Sequence, residues 1–464
     1  MSDVFYENLK RTSVYAGGHI EPKHEGHRQF VRKTLISFME RNRKKLDEEQ
    51  RVLSGDAVTT TSQGLPSSYS KEVIRFALSD LKILELVRGL VDPTATASMA
   101  IPYEKREKNA NDFANFGVVY EGFGIPYSGV SLDAETAYMQ PMKLALKVSN
   151  EVLHFASGTH LNWDAWANNI SSNGTFIKEL LQLRIAAEML RASDSYQAIS
   201  IQDEAITVDA NGLIKTAQFP IVRPYQPRDL AGRVVGTAKN QISLTVNGVA
   251  IPAYDESDLI QSSLYWRFSN LNLGYIQLVD KDGQLAGSAA SGVISYSQAT
   301  NLVKFDMAIP EGVSVAKHMN GLLDAIGNQI AMLSSHRYSR PDFMLMSAVV
   351  NNEITKAEQF IVSLKRNGSE TSPLGDLATV KGIPAYDTGL PGDLGDNRIL
   401  LGKRDLTAYG IAKPYQMGEA FQSTTRGYAT GEQMAYGQEF SVIYTPAAVC
   451  NRYTSILLYN SSSR

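Results

Sequence analysis

The most informative segment of the chain is residues 118–156, VVYEGFGIPYSGVSLDAETAYMQPMKLALKVSNEVLHFA. In its second half, apolar side chains recur at every second position, which is the period of a half-buried strand. One face of that strand would carry Tyr138, Met142, Leu144, Leu146 and Val148, and the other face would carry Lys143, Lys147 and Ser149. Because Pro141 cannot donate a backbone hydrogen bond, we expect this strand to lie at the edge of a sheet.

A charged segment precedes this strand. Residues 101–117, IPYEKREKNANDFANFG, contain an unbroken charged run between two extended-looking stretches; the run is Glu104, Lys105, Arg106, Glu107 and Lys108. We therefore predict a long two-stranded ribbon over residues 97–150 with a charged tip. An isolated ribbon is at best marginally stable in water. It needs a surface to lie on, which is either its own domain or a neighbouring subunit.

Outward from the ribbon, several segments show the helical repeat of apolar residues. They are residues 71–90 with Ser70 as the N-cap, residues 150–196 with an interruption at 171–174, residues 314–334, and residues 353–366. Residues 314–334 form the clearest helix, because their apolar side chains fit one face throughout.

Residues 205–310 change to short β segments. The pair Asn247 and Gly248 lies between alternating runs, which predicts a hairpin. A second turn is predicted at 280–283, so we interpret this region as a compact β domain. Further strands are expected near residues 343–350, 379–386, 398–402, 405–412, 439–445 and 447–459.

The N-terminal region is polar up to residue 26, helical in its spacing over 27–53, and a linker by composition over 54–69. Residues 23–45 carry a strong excess of basic side chains, among them Arg32, Arg43 and Lys44. This pattern is typical of a surface that contacts phosphates or an acidic partner. It is equally typical of a solvated helix face.

The composition excludes several classes of protein. In 464 residues, 45 Lys and Arg stand against 48 Asp and Glu, so no overall basic character draws the chain to nucleic acid or to an anionic membrane. The single cysteine, Cys450, excludes an intramolecular disulfide and any site built from two thiolates. No apolar run approaches the ~18–20 residues of a membrane span, and we find no secretory signal pattern. We expect a protein of the reducing cytosol with no membrane partner.

The sequence does not match the common signatures of catalytic sites. The spacing from Gly395 to Lys403 is wrong for a phosphate loop, and Gly122 and Gly124 lack the third glycine of a dinucleotide fingerprint. The N-terminal histidines have no cysteine partner for zinc, and no nucleophile elbow occurs. We expect no enzymatic activity, no cofactor and no metal. The chain is large, and its arm and ribbon would be poorly supported in a monomer. This combination indicates a protein that functions by binding other copies of itself.

Four segments carry a resemblance to a known family. They are residues 69–94 (YSKEVIRFALSDLKILELVRGLVDPT) with MAIPY at 99–103; residues 118–156 with the pair Glu121 and Gly122; residues 340–354 (RPDFMLMSAVVNNEI) with KGIPAYDTG and RILLGKRDL; and residues 441–459 (SVIYTPAAVCNRYTSILLY). In this order they resemble the major capsid proteins of tailed bacteriophages, which have the Hong Kong 97-type or Johnson fold.

The resemblance implies an α+β fold with seven parts. They are an N-terminal arm and linker (1–70), a helix entering the extended loop (71–96), the extended β-hairpin loop (97–150), the spine helix of the peripheral domain (151–204), an inserted β domain (205–311), the axial domain with part of the peripheral domain (312–430), and the final peripheral-domain strands (431–464).

The resemblance also implies a role in a virion. Copies of the chain would form hexamers and pentamers in the host cytoplasm and tile an icosahedral shell around double-stranded DNA. Expected partners are other copies, a scaffold protein, a portal, packaged DNA bound non-specifically, and a decoration protein as a further candidate. The residues expected at contacts between subunits are Arg32, Arg43, Lys44, Glu104, Lys105, Arg106, Lys108, Glu121 and Tyr138.

Some members of this family join subunits covalently through a loop lysine and a neighbour's asparagine. Here Lys105 or Lys108 and Asn451 are the candidates. Two other functions stay open. An encapsulin-type compartment shares the fold but encloses enzymes, although the length and the inserted domain argue against it. A hydrolase or glycan-binding protein with scattered site residues would be a monomer or a dimer.

Overall fold

The computed structural model describes residues 57–58, 83–106, 112–113, 117–150, 165–254, 262–287, 289–358, 379–387, 395–425 and 428–462. These residues fall into two compact units. Unit 1 contains the described residues that fall within 57–58, 143–174 and 416–438, and unit 2 contains all other described residues. The helix predicted over 27–53, nearly all of the linker and most of the segment 71–90 lie outside the described residues.

The described chain mixes helices and strands, as an α+β protein does. Its helices are α1 (Ala165–Ser195), α2 (Val315–His336) and α3 (Ala348–Thr355). Its strands are β1 (Ala57–Val58), β2 (Arg88–Val91), β3 (Ser98–Arg106), β4 (Val130–Tyr138), β5 (Gln140–Ser149), β6 (Ile199–Val208), β7 (Leu213–Lys215), β8 (Ser243–Val246), β9 (Val249–Ile251), β10 (Tyr265–Asn270), β11 (Tyr275–Val279), β12 (Ala290–Gln298), β13 (Leu302–Asp306), β14 (Phe343–Met346), β15 (Thr379–Val380), β16 (Ile383–Asp387), β17 (Arg398–Gly402), β18 (Ala408–Met417), β19 (Phe421–Thr425), β20 (Tyr428–Tyr444) and β21 (Thr454–Tyr459). Short 3₁₀ helices occupy Ile83–Leu86, Gly395–Asn397 and Ala447–Arg452.

Unit 1 corrects the prediction for the strand that contains Pro141. The alternation is confirmed, since Leu146 and Val148 are buried while Lys143 is exposed. The edge position is wrong, because β5 has the neighbours β1 and β20. The Lys147 ammonium lies 3.2 Å from a carboxylate oxygen of Glu432 on β20. Pro141 precedes the residues that pair with β1, so its missing N–H leaves that parallel pairing intact.

Unit 2 contains a six-stranded mixed sheet in the order β13-β21-β17-β14-β16-β15. All four residues of β14 are buried, since this strand lies between two neighbours. The predicted helix over 314–334 is confirmed as α2, and the Ser314 hydroxyl accepts a bond from the Lys317 N–H at 3.3 Å. The apolar face of α2 packs in one cluster with this sheet; its members include Met319, Leu322, Ile326, Leu333, Leu401 and Ile456.

The predicted β domain is a seven-stranded antiparallel sheet in unit 2, in the order β10-β11-β7-β6-β12-β8-β9. It begins at Ile199 rather than 205, and β13 belongs to the other sheet. Asn247 and Gly248 have φ of 51° and 78°, which is the geometry of the predicted hairpin turn. The turn predicted at 280–283 is also present, with Asp280 accepting from the N–H groups of Asp282 and Gln284.

The described end of segment 71–90 is not the predicted helix. Ile83–Leu86 forms a 3₁₀ turn, and Arg88–Val91 forms β2, which pairs in parallel with β18. The Arg88 N–H donates to the Thr407 carbonyl at 2.9 Å. The apolar spacing indicated a helix, but a partner strand distant in sequence decides the conformation.

Other predicted boundaries also differ from the structure. No interruption occurs at 171–174, because α1 runs through these residues. It ends at Ser195, so residues 199–204 of the predicted spine segment are already strand β6. The strand predicted over 343–350 stops at Met346, because the Ser347 hydroxyl caps α3 by accepting from the Val350 N–H at 3.4 Å. Helix α3 ends at Thr355, so it overlaps only the start of the helix predicted over 353–366. Residues 359–366 of that prediction lie outside the described residues.

Candidate assembly surface

Strands β3 and β4 form a two-stranded ribbon within the predicted range 97–150. The alternating residues 138–149 were expected to be its returning strand, and this part of the prediction is wrong. The returning strand is β4, whereas residues 140–149 form β5 in another sheet.

Strands β3 and β4 pair in antiparallel register over nine residues, from Ser98 opposite Tyr138 to Arg106 opposite Val130. The two strands make a sheet of their own. The segment that joins them is described at 112–113 and from 117, and its described residues contain no strand. We call residues 117–129 the tip segment.

The ribbon has two different faces, because residues directly opposite each other on paired strands share a face. The inner face carries the pairs Met99 and Ala137, Ile101 and Glu135, and Tyr103 and Asp133. The outer face carries the pairs Ala100 and Thr136, Pro102 and Ala134, and Glu104 and Leu132. The inner face is buried at the end that we call the foot, near Met99, whereas all six of these outer-face residues are exposed.

An apolar cluster holds the foot of the ribbon within unit 2. This foot cluster consists of Met99, Ile101, Ala137, Met139, Ala408, Val442 and Tyr444, all of them buried. Burial of one such aliphatic side chain stabilises the fold by about 1.5–3 kcal/mol. The sequence left open whether the ribbon lies on its own domain or on a neighbouring subunit. At the foot, the ribbon lies on its own domain.

A carboxylate fixes β4 beside this cluster. The Tyr444 hydroxyl donates to one oxygen of Glu135 at 2.7 Å, and the Ala447 N–H donates to the other at 2.9 Å. Burial, and after it the bond to Glu135, raise the pKa of Tyr444 well above its ordinary value. Tyr444 therefore remains a hydrogen-bond donor at neutral pH. We call this arrangement the Glu135 clamp.

A buried ion pair supports the clamp from α1. The Arg191 guanidinium donates to both oxygens of Glu188, at 2.6 and 2.5 Å, and the Thr445 N–H donates to Glu188 at 2.8 Å. Burial alone would lower the pKa of Arg191, but the Glu188 carboxylate outweighs it and the pKa is raised. Arg191 also lies 4.8 Å from the ring centre of Tyr225 and 5.9 Å from that of Tyr444.

The free end of the ribbon presents large apolar side chains to solvent. They are Val118, Val119, Tyr120, Phe123, Ile125 and Tyr127 in the tip segment, and Val130 and Leu132 on β4. Ile125 is 84% exposed, Tyr127 81% and Leu132 82%. Single exposed apolar residues are normal on any surface. A series of them within one segment is typical of a binding surface.

The residues predicted from the sequence fall in different places along this surface. Glu104 and Lys105 are exposed on β3, near the free end, and Glu121 is exposed in the tip segment. Tyr138 is half-buried at the foot, on the outer face. Arg106 ends β3 opposite Val130. The other predicted residues, Arg32, Arg43, Lys44 and Lys108, lie outside the described residues.

The sequence reasoning therefore named the charges of the ribbon and missed its apolar residues. The signal was present in the segment YEGFGIPY at 120–127, where aromatic and aliphatic residues stand without the alternation that would bury one side of them. The inner-face residue Glu135 was also missed. Its two donors come from residues more than three hundred positions away in the sequence, so no local pattern could reveal them.

The described residues offer little else that resembles a chemical site. They contain no group of three or more His, Cys, Asp or Glu side chains placed to hold a metal ion. Burial raises the pKa of the Cys450 thiol to about 12, so the thiolate that a nucleophile requires is disfavoured. Among the described helices, none combines the length and the apolar character needed to cross a membrane.

Comparison with known proteins gives structural neighbours only. No family model matches the sequence, and no curated protein matches it. Among solved structures, the mature capsid of bacteriophage PhiM1 matches with a TM-score of 0.46 and 8% identity, over 84% of this chain and 91% of that chain. The capsid of cyanophage P-SCSP1u matches with a TM-score of 0.46 and 8% identity, over 86% and 95% of the two chains. The capsid of Myoviridae phage XM1 matches with a TM-score of 0.41 and 11% identity, over 85% and 97%.

Proposed function

We propose that this chain is the major capsid protein of a tailed bacteriophage, with a fold of the Hong Kong 97 type. Its copies assemble as hexamers and pentamers into an icosahedral shell that encloses double-stranded DNA. The observation that carries the proposal is the ribbon, whose foot is buried in its own unit while its outer face and tip segment expose apolar side chains.

Energetics favour a second copy as the partner of the free end. Each large apolar side chain of the tip segment gains about 1.5–3 kcal/mol when it leaves water. We take the receiving surface to be a patch other than the ribbon itself, which makes the contact head-to-tail. Head-to-tail contacts close into rings when the rotation between subunits allows it. Rings of five and six are the units from which an icosahedral shell is built.

The remaining roles follow from the same proposal. Helix α1 is the spine helix, and the seven-stranded sheet from β6 to β12 is an insertion. Residues 312–430 include the axial domain that meets other copies at the capsomer axis, and residues 431–464 complete the peripheral domain. The arm over residues 1–70 contacts a neighbouring subunit. A scaffold protein, a portal and a decoration protein are further partners. With a net charge of −3, the shell wall holds packaged DNA only weakly and non-specifically.

The test replaces exposed apolar residues of the ribbon by charge. We expect Leu132→Glu and Ile125→Glu to abolish the formation of particles by the purified full chain, because each places a charge where the partner must bury an apolar group. Negative-stain electron microscopy counts the particles, and circular dichroism checks that the variants fold. Val249→Glu is the matched control, since Val249 is also exposed but lies on the β8–β9 hairpin of the insertion.

The outcomes separate the proposal from its competitors. Loss of particles in the two ribbon variants, with normal particles in the control, supports the proposal. Normal particles in all three variants would show that the ribbon is not an assembly surface. Particles that carry an enzyme cargo rather than DNA, when purified from the natural source, would indicate an encapsulin-type compartment.

A further inference from the structure

The insertion sends one long loop to the foot of the ribbon. This loop, residues 222–241, forms most of the connection between β7 and β8 and is held together by its own backbone bonds. The Tyr225 N–H donates to the Lys239 carbonyl at 2.9 Å, and the Lys239 N–H donates back at 2.8 Å. Closer to the turn in the middle of the loop, the Val235 N–H donates to the Pro227 carbonyl at 2.9 Å. We call it the brace loop.

The brace loop touches the foot at two points. The Tyr225 side chain packs against the foot cluster, with its ring centre 5.9 Å from that of Tyr444. At Gly236 the loop backbone approaches the outer face: a Cβ built there would lie 3.5 Å from Cε2 of Tyr138. Tyr225 therefore contacts the buried inner face of the foot, and Gly236 contacts the half-buried Tyr138 on the outer face.

The insertion also has a fixed base from which the loop can act. Arg398 of β17 is fully buried and donates to the Asn272 side chain of the insertion at 2.8 Å, to Ser455 at 3.0 Å, and to the Asp194 carboxylate near the end of α1. Asn240 of the brace loop donates to the Ser195 hydroxyl at 3.3 Å. The insertion is thus bonded to β17 of the six-stranded mixed sheet through Asn272, and the brace loop is bonded to α1 through Asn240.

We propose that the insertion sets the direction of the ribbon through the brace loop, with Tyr225 as the positioning residue. The proposal rests on the proposed function in that a ribbon must be correctly aimed to reach the next copy. The insertion then acts as an internal guide for assembly. A ribbon held only by its foot cluster would sample more orientations and engage its partner less often.

Hydrogen exchange of the unassembled full chain tests the contact itself. Tyr225→Ala should speed the exchange of amides in the foot half of β3 and β4 by about tenfold, because the ring contacts with Tyr444 and Arg191 are lost. Exchange in α2 and β14 should not change.

Tyr225→Phe keeps the ring and should restore the wild-type rates. Tyr275→Ala is the control, since its ring contacts Lys215 elsewhere in the insertion. Unchanged exchange of the ribbon in Tyr225→Ala would overturn the proposal; if that variant fails to fold, Tyr225→Leu takes its place in the same comparison.

Electron microscopy of the same variants tests the consequence. Tyr225→Ala should give misshapen particles or none, whereas Tyr225→Phe and Tyr275→Ala should give normal ones. A ribbon that loosens without any effect on particles would overturn the guiding role. If the wild-type chain forms no particles even when its scaffold protein is added, the proposed function fails, but the exchange rates still decide whether the brace exists.

Discussion

At the scale of single residues, the foot of the ribbon shows how burial sets chemistry. Cys450 is buried near Arg191 and Glu188, and burial outweighs the nearby guanidinium in raising the pKa of the thiol from 9.0 to about 12. The lone cysteine of the chain is thus a packing residue. Sequence alone excluded a disulfide but could not give this environment, which arises from α1 and the 3₁₀ turn Ala447–Arg452.

This shift predicts a pH dependence. The folded state holds the thiol proton more tightly than the unfolded state, so the contribution of Cys450 to stability is complete below about pH 9 and is lost as the pH rises toward 12. Denaturant unfolding at a series of pH values measures it. Cys450→Ala should flatten the fall above pH 9.

Reactivity gives an independent check on the same residue. A thiol reagent at pH 8 should label the native chain far more slowly than the chain in guanidinium, because the native thiol is buried and protonated. Rapid labelling of the native chain would contradict the burial of Cys450.

At the scale of elements, sequence reasoning succeeded where the pattern is local. The helix α2 and the Asn247 hairpin follow from side-chain period or turn chemistry within a few residues. The ribbon lies in the predicted part of the chain, but its returning strand is Val130–Tyr138 rather than the alternating run that suggested it. Sequence reasoning failed where a distant partner decides. Strand β2 forms because β18 pairs with it, and β5 is interior because β1 and β20 flank it. Neither partner could be identified from the neighbouring residues.

The candidate surface follows the same division. Charge at Glu104 and Lys105 is visible in the sequence, and both residues are exposed near the free end as expected. The Glu135 clamp and the contact of Tyr225 with the foot depend on the tertiary fold. Only the structure shows that one ribbon has a buried inner foot and a free outer face.

The clamp makes a prediction for the ribbon as an element. Glu135→Ala leaves the hydroxyl of the buried Tyr444 without its acceptor, so the free energy of unfolding should fall by about 1–3 kcal/mol. Asp133→Ala is the control on the same strand and face, where the bond from the Tyr103 hydroxyl is exposed and its loss should matter little. Equal effects of the two substitutions in urea unfolding would show that the clamp does not hold β4.

At the scale of the whole molecule, the described chain combines well-packed apolar clusters with a segment whose apolar side chains are exposed. Four apolar clusters stabilise unit 2 without any partner. The apolar side chains of the tip segment, and Val130 and Leu132 on the outer face of the ribbon, gain nothing from that packing because they are exposed. The proposed assembly supplies the missing burial through copies of the same chain.

The most direct test is negative-stain electron microscopy of the purified wild-type chain, with sedimentation velocity at micromolar concentration beside it. Our account predicts rings or closed shells built from many copies. A chain that stays monomeric under all assembly conditions, including addition of its scaffold protein, would contradict it.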